Sequence, residues 1–209
     1  MIIDMPKIES PFVRKLNDKG YYVLTPEITK GYEWVFEDND TICMEKLDGT
    51  NVSIDLRENA VLAIYNRTER IPMINKGKRF ITEGILESYS RGFMDNLNDG
   101  QSFGELIGEK LAKNPYKIEG HIWIPFNTFG IKHLVYKSYQ KYPKTFENIK
   151  NWLLNPIEEG GIFSLFMKMK GVNQKPEGVV FYNLKTGQMA KLRLDMYEEY
   201  KGSRHKEKE

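Results

Sequence analysis

Cysteine and histidine are scarce in this sequence. Its 209 residues include one cysteine, Cys43, and three histidines. A single cysteine excludes an internal disulfide and suits a reducing compartment, so we expect Cys43 to be a small apolar residue on a buried strand. His121, His133 and His205 are scattered without ligand spacing, which argues against a zinc site or a Ser-His-Asp triad.

Long apolar runs and a strong net charge are also missing. No segment approaches the length of a membrane span and the N-terminus lacks a signal-peptide pattern, so the expected location is the cytoplasm, with no membrane partner. Charged residues make up 29% of the chain, but the net charge is only +2. A site for a polyanion must therefore come from local clustering of charge.

The stretch EKLDGTN contains the first candidate for chemistry. Lys46 stands at the end of the apolar run 41–44 and is followed by an Asp-Gly pair that is expected to turn the chain back into a second extended run. A lysine amine held at the mouth of a sheet can act as a nucleophile when burial and nearby positive charge favour its neutral form. It could equally be a solvated lysine beside a tight hairpin.

Short alternating runs over residues 41–67 predict an antiparallel meander whose third strand ends at Arg67. Arg67 could hold a phosphate near Lys46, or it could be an exposed hairpin arginine. A further strand is predicted over 102–108, with Glu105 opposite in direction to its neighbours. A carboxylate within a sheet invites a partner such as a sugar hydroxyl or a metal, unless the strand is a solvated edge.

Other segments are assigned by periodicity and turn residues. We predict a short entry helix and an extended piece within residues 1–40, a helix over 76–98, an extended aromatic run over 121–126 and a helix over 145–154 capped by Thr145. Residues 127–144 interleave basic and tyrosine side chains. That pattern suits nucleic-acid contact, and it also describes many ordinary surfaces.

The segment KPEGVVFYNLKTGQMAKLRL predicts a hairpin of two strands. Lys191 and Arg193 alternate with apolar residues in the second strand, so both cations are expected on one face. Glu177 begins the first strand. Burying two cations there without an anionic ligand would be costly, which points to a bound polyphosphate.

The ordered set EKLDGTN, NRTER, FGELIG, IWIPFNT, EGVVF and AKLRL resembles motifs I, Ia, III, IIIa, IV and V of the covalent nucleotidyltransferases, which include RNA ligases, DNA ligases and capping guanylyltransferases. Within this superfamily, the chain most resembles the ATP-dependent RNA ligases of the RNA-editing and phage-repair branch. The resemblance implies an α+β, antiparallel-sheet adenylation domain of the DNA-ligase-like, ATP-grasp-like type over 1–200. The charged residues over 201–209, KGSRHKEKE, predict a disordered tail.

The resemblance also implies roles for individual residues. Lys46 would attack the α-phosphorus of ATP and become a lysyl-AMP adduct, while Glu177 would bind Mg²⁺ or Mn²⁺ directly or through water. Lys191 and Arg193 would contact the α-phosphate. Around the nucleotide, we expect Glu45 to contact the adenine amino group and Phe126, or less favourably Trp123, to stack on the ring. Arg67 and Glu105 are expected to hold the ribose and the transferring phosphate. Asn51 is expected to act in the later steps, at the nucleic-acid end.

Two departures from the family pattern affect these expectations. Arg193 replaces the lysine usual at the second basic position of motif V, and no C-terminal accessory domain is recognisable after it. Joining of RNA 3′-hydroxyl and 5′-phosphate ends could therefore need a partner protein or the local basic surface. The alternatives are a related enzyme acting on nicked DNA or as a capping guanylyltransferase, and a non-catalytic nucleic-acid-binding module of the same fold.

Overall fold

Antiparallel strands dominate the architecture of the computed structural model, which describes residues 2–141 and 144–203. The strands are β1 Phe12–Leu16, β2 Tyr22–Ile28, β3 Thr41–Lys46, β4 Thr50–Arg57, β5 Ala60–Asn66, β6 Glu69–Ile71, β7 Gly100–Gly108, β8 His121–Pro125, β9 Gly178–Asn183 and β10 Met189–Arg193. The helices are α1 Trp34–Glu37, α2 Arg79–Ser90, α3 Ile131–His133, α4 Phe146–Leu154 and α5 Leu165–Met169. The α+β class with antiparallel sheets is confirmed.

The chain divides into two compact units. The first unit contains Leu47–Leu134 together with the residues up to Lys7, and the second contains Ile8–Lys46 together with the residues from Val135 onward. The assignment of 1–200 to one adenylation domain stays a prediction. Residues 204–209 of the expected tail lie outside the described residues.

The second unit holds a three-stranded sheet in the order β10-β9-β3 and the hairpin β1-β2. In the three-stranded sheet, Lys46 pairs with Gly178, which pairs in turn with Arg193. Alternate residues of these strands face a core that includes Cys43, Val179, Phe181, Ala190, Leu192 and Trp152 of α4. The burial predicted for Cys43 is confirmed, and Thr145 caps α4 as predicted, its hydroxyl accepting from the amide of Asn148 at 3.3 Å.

The first unit holds a five-stranded sheet in the order β6-β5-β4-β7-β8. One face of this sheet forms an apolar core with α2, built from side chains such as Val52, Ile54, Leu106, Trp123, Ile81 and Ile85. Val52, Ile54 and Leu56 of β4 all belong to this core because side chains alternate along a strand. The other face of β4 carries Asn51, Ser53 and Asp55.

Three expectations about secondary structure are wrong in whole or in part. Residues 12–16 form β1, paired with β2, rather than an entry helix, because a short apolar run fits either period. The predicted meander forms only in part, since β4 and β5 pair as an antiparallel hairpin, whereas β3 pairs with β9 instead of β4. The helix expected over 76–98 is the shorter α2, which ends at Ser90.

No helix within 2–141 and 144–203 combines the length and the apolar character that crossing a bilayer would require.

Candidate active site

Lys46 is the last residue of β3, and its amine contacts a carboxylate from the neighbouring strand segment. Its Nζ donates to Oε2 of Glu177 at 2.5 Å. The two side chains are 22% and 14% exposed, so the pair is largely withdrawn from water but still reachable. Glu177 reaches this position because it immediately precedes Gly178, the residue that pairs with Lys46.

A row of residues across the three-stranded sheet carries the positive charge of the site. Residues paired across antiparallel strands project to the same face, so Lys46 and Arg193 lie on either side of Gly178. A side chain cannot replace that glycine, because its Cβ would lie 2.1 Å from the backbone oxygen of Leu192. Lys191, two residues before Arg193, projects to this face as well, which confirms the alternation predicted for β10.

Arg193 is held by a carboxylate that the sequence reasoning missed. Its Nε donates to Oδ1 of Asp195 at 2.9 Å, and the two side chains are 15% and 8% exposed. Arg193 is the last residue of β10, and Asp195 lies two residues beyond it. The Arg-x-Asp pattern in the sequence could have indicated this ion pair. The contact fixes the direction of the guanidinium group, a planar fork of donors whose geometry suits phosphate.

Glu45 points away from Lys46, into the core. It pairs with Val179 and is only 5% exposed. Its Oε1 accepts from the hydroxyl of Ser164 at 2.5 Å, and its Oε2 accepts from the backbone amide of Phe166 at 2.9 Å. Burial raises the pKa of Glu45 to about 7, although these hydrogen bonds act in the opposite direction.

Ser164 and Phe166 were not found from the sequence. They lie 119 and 121 residues from Glu45 along the chain, and no local pattern connects them to motif I. A buried serine that also caps a helix, accepting from the amide of Met167 at 3.0 Å, reads in sequence as an ordinary cap.

In the first unit, the sheet brings Asn51 and Glu105 together as a directly paired couple on β4 and β7. Glu105 is partly exposed. The amide nitrogen of Asn51 lies 3.0 Å from the sulfur of Met5, while its Oδ1 is buried without a hydrogen-bond partner in the described part of the chain. Paired side chains on one face can act on one ligand.

The remaining candidates of this unit have different surroundings. Arg67 is exposed in the turn between β5 and β6, with a positive φ of 57°. Phe126 is partly exposed and opens a π-helical turn, Phe126–Gly130, directly after β8. Trp123 is fully buried, and its indole nitrogen donates to the backbone oxygen of Val52 at 2.9 Å. It therefore has no open face for a base.

Two tyrosines from the basic and aromatic stretch belong to the core of the second unit. Tyr136 and Tyr139 are 4% and 1% exposed, and their hydroxyls donate to the backbone oxygens of Phe163 and Val35. They do not offer stacking surfaces. Tyr142 lies outside the described residues.

The candidate residues thus fall into two groups. Glu45, Lys46, Glu177, Lys191 and Arg193 belong to the second unit. Asn51, Arg67, Glu105 and Phe126 belong to the first, which the chain enters at Leu47, immediately after Lys46. In neither group of described residues do three His, Cys, Asp or Glu side chains form a cluster able to hold a metal ion by themselves.

Comparison with family models gives a match to the RNA ligase model over residues 39–193. The chain belongs to the RNA ligase family. The match spans β3, β7, β9 and β10, and with them Lys46, Glu105, Glu177 and Arg193. No curated protein matches the chain significantly.

Solved structures of Naegleria gruberi RNA ligase share the fold of this RNA ligase family member. A mutant with ATP and Mn matches at TM-score 0.52 and 16% identity over 89% of this chain and 59% of the ligase chain. A mutant with AMP and Mn gives 0.51 and 16% over 91% and 60%. A further mutant with ATP and Mn gives 0.51 and 15% over 92% and 62%.

The chain spans about three fifths of the length of these ligase chains. The resemblance to ATP-dependent RNA ligases, drawn from the motifs, is confirmed at the level of the family and the fold.

Proposed function

We propose that this protein is an ATP-dependent RNA ligase that becomes adenylylated on Lys46 and joins RNA 3′-hydroxyl and 5′-phosphate ends. The observation that carries the proposal is the contact between Lys46 Nζ and Glu177 at 2.5 Å, on the sheet face that also carries Lys191 and Arg193. An amine, a carboxylate and two cations on one face are the groups that nucleotidyl transfer to lysine requires.

In the first step, the neutral amine of Lys46 attacks the α-phosphorus of ATP. An N–P bond forms, the bond from the α-phosphorus to the bridging oxygen breaks, and pyrophosphate leaves with the electron pair. Glu177, whose Oε2 contacts the Lys46 amine, orients it and accepts its proton. Lys191 and Arg193 stabilise the charge that develops on the α-phosphate oxygens.

A 5′-phosphate oxygen of the RNA then attacks the phosphorus of the adduct, which frees Lys46 and leaves the 5′ end adenylylated. The 3′-hydroxyl attacks that end, a phosphodiester bond forms, and AMP leaves. Asn51 and Glu105 form a paired polar couple suited to the ribose or to the RNA end, and Phe126 and Arg67 are assigned to the adenine ring and a phosphate.

A divalent ion, Mg²⁺ or Mn²⁺, fits the donor set, because Glu177 offers carboxylate oxygen beside Lys46 and these ions are commonly bound by one or two carboxylates with substrate phosphates and water. When bound, it would neutralise charge on the triphosphate. A partner protein that completes the RNA-binding surface and a cytoplasmic location stay predictions.

The test is the intact mass of the purified protein after incubation with ATP and Mg²⁺, following treatment with pyrophosphate to remove any existing adduct. We expect a gain of one AMP on the wild type and none on Lys46→Ala. A gain with GTP instead of ATP would favour a guanylyltransferase. No gain on the folded wild type would reject the proposal and favour a non-catalytic binding module.

The acceptor is tested by incubating the adenylylated protein with two nicked duplexes. They differ only in whether the nicked strand is RNA or DNA. We expect sealing of an RNA nick to exceed sealing of a DNA nick. Preference for DNA would keep the lysyl-AMP chemistry and reject RNA as the substrate.

A further inference from the structure

A buried carboxylate lies directly beside the proposed nucleophile, on the opposite face of its strand. Glu45 shares a row with Val179 and Leu192, both fully buried, whereas Lys46 projects to the face of Lys191 and Arg193. A carboxylate among apolar side chains is costly unless its oxygens are hydrogen-bonded. A role in holding the neighbouring Lys46 would explain why a carboxylate occupies this costly position.

The oxygens of Glu45 are occupied by donors from one distant segment. Ser164, itself fully buried, donates its hydroxyl to one oxygen at 2.5 Å, and the amide of Phe166 donates to the other at 2.9 Å. The hydroxyl of Ser164 also accepts from the amide of Met167 at 3.0 Å. Glu45 therefore has a fixed orientation and ties the end of β3 to the first turn of α5.

Glu45 is the residue directly before Lys46, so its contacts hold the backbone there. In the three-stranded sheet β3 pairs with β9 on one side, through Lys46 and Gly178. On its other side, the backbone oxygen of Cys43 accepts from the amide of Tyr136 at 2.8 Å. The residue after Lys46 already belongs to the other unit. Loss of the Glu45 contacts would let the backbone directly before Lys46 shift, and misplacement of a reacting group by about 1 Å can lower a rate about 100-fold.

We propose that Glu45 is a positioning residue for Lys46, acting together with Ser164 to fix the end of β3 so that the amine stays beside Glu177. This inference rests on the proposed adenylylation of Lys46. It replaces the expectation that Glu45 reads the adenine amino group, because both oxygens of Glu45 are already engaged inside the core.

The two roles are separated by single-turnover adenylylation with ATP and with purine riboside triphosphate, which lacks the 6-amino group. The variants are Glu45→Ala, Ser164→Ala, the double variant and Glu45→Gln. Ser10→Ala is the matched control, since Ser10 is a buried serine of the same unit that accepts from the amide of Phe12. Thermal unfolding identifies variants that fail to fold.

We expect Glu45→Ala and Ser164→Ala each to lower the rate at saturating ATP by about tenfold or more, with the ATP concentration for half-maximal rate changed less than about twofold. The double variant should be no slower than the slower single variant, because the two single substitutions break the same Glu45–Ser164 contact. Glu45→Gln, which retains an acceptor for the Phe166 amide, should recover most of the rate. The ratio of ATP to analogue rates should stay at its wild-type value throughout.

A wild-type rate in Ser164→Ala, or a loss in Glu45→Ala that is seen with ATP but not with the analogue, would overturn the positioning role and restore base reading. Absence of any adduct on the wild type is a different result, since it rejects the proposed function and this inference with it.

Discussion

Side chains alternate between two faces in both main sheets, but in the part of the chain that the structure describes only one of the two sheets has a buried carboxylate on its core face. In the five-stranded sheet, β4 contributes Val52, Ile54 and Leu56 to the core, and Val52 and Ile54 are fully buried. In the three-stranded sheet the core face of β3 carries Glu45, which is 5% exposed and needs Ser164 to satisfy it. The apolar face needs only packing, whereas the second sheet accepts a costly polar group beside its reactive lysine.

Placing a carboxylate on the apolar face of β4 tests whether that sheet loses stability when a carboxylate is buried in it. Val52→Asp buries a carboxylate in a core built for an apolar side chain, so we expect a loss of about 4 kcal/mol or more in the free energy of unfolding. Urea unfolding measures this loss. Val52→Thr, of similar shape, is the control and should lose clearly less; equal losses would mean that shape rather than charge decides.

The pH dependence of stability tests the same carboxylate in its natural place. Burial raises the pKa of Glu45 from 4.5 to about 7, so between these values the folded protein retains a proton that the unfolded chain has released. The free energy of unfolding should therefore fall as pH rises through this window, by about 3 kcal/mol in total, and level off above it.

Glu45→Gln should remove that fall, and the difference between the two urea-unfolding profiles isolates it. His121 contributes an opposite slope in both proteins, because burial lowers its pKa. Identical profiles for wild type and Glu45→Gln would contradict the buried, proton-retaining carboxylate.

Gly178→Ala tests the row on the chemical face of the three-stranded sheet. The new Cβ would meet the backbone oxygen of Leu192 at 2.1 Å, so β9 and β10 must separate locally, at a cost of about 2 kcal/mol. Adenylylation should fall even in the folded protein, because Lys46 and Arg193 flank this glycine. Gly104→Ala is the matched change in the other sheet, where Cβ would meet the oxygen of Ile124 at 2.5 Å. Unchanged adenylylation in folded Gly178→Ala would contradict the role of the row.

The sequence predicted the local features of the second unit well. The β9–β10 hairpin and the common face of Lys191 and Arg193 follow from turn residues and from alternation within one short segment. The burial of Cys43 follows from its place in an apolar run. These features depend on neighbours along the chain.

The missed features depend on partners far along the chain. Pairing of β3 with β9 brings Lys46 to Glu177, 131 residues away, and removes β3 from the predicted meander. Ser164 lies 119 residues from Glu45. Strand partners and core contacts of this kind are selected by tertiary packing, which local propensity does not encode.

Peptide mapping by tandem mass spectrometry shows directly whether Lys46 is the nucleophile. The wild-type protein is incubated with ATP and Mg²⁺, digested, and searched for AMP-bearing peptides. We predict AMP on the nitrogen of Lys46 and on no other residue, with the signal lost in Lys46→Arg. AMP on another lysine, or a modified Lys46→Arg protein, would contradict the account.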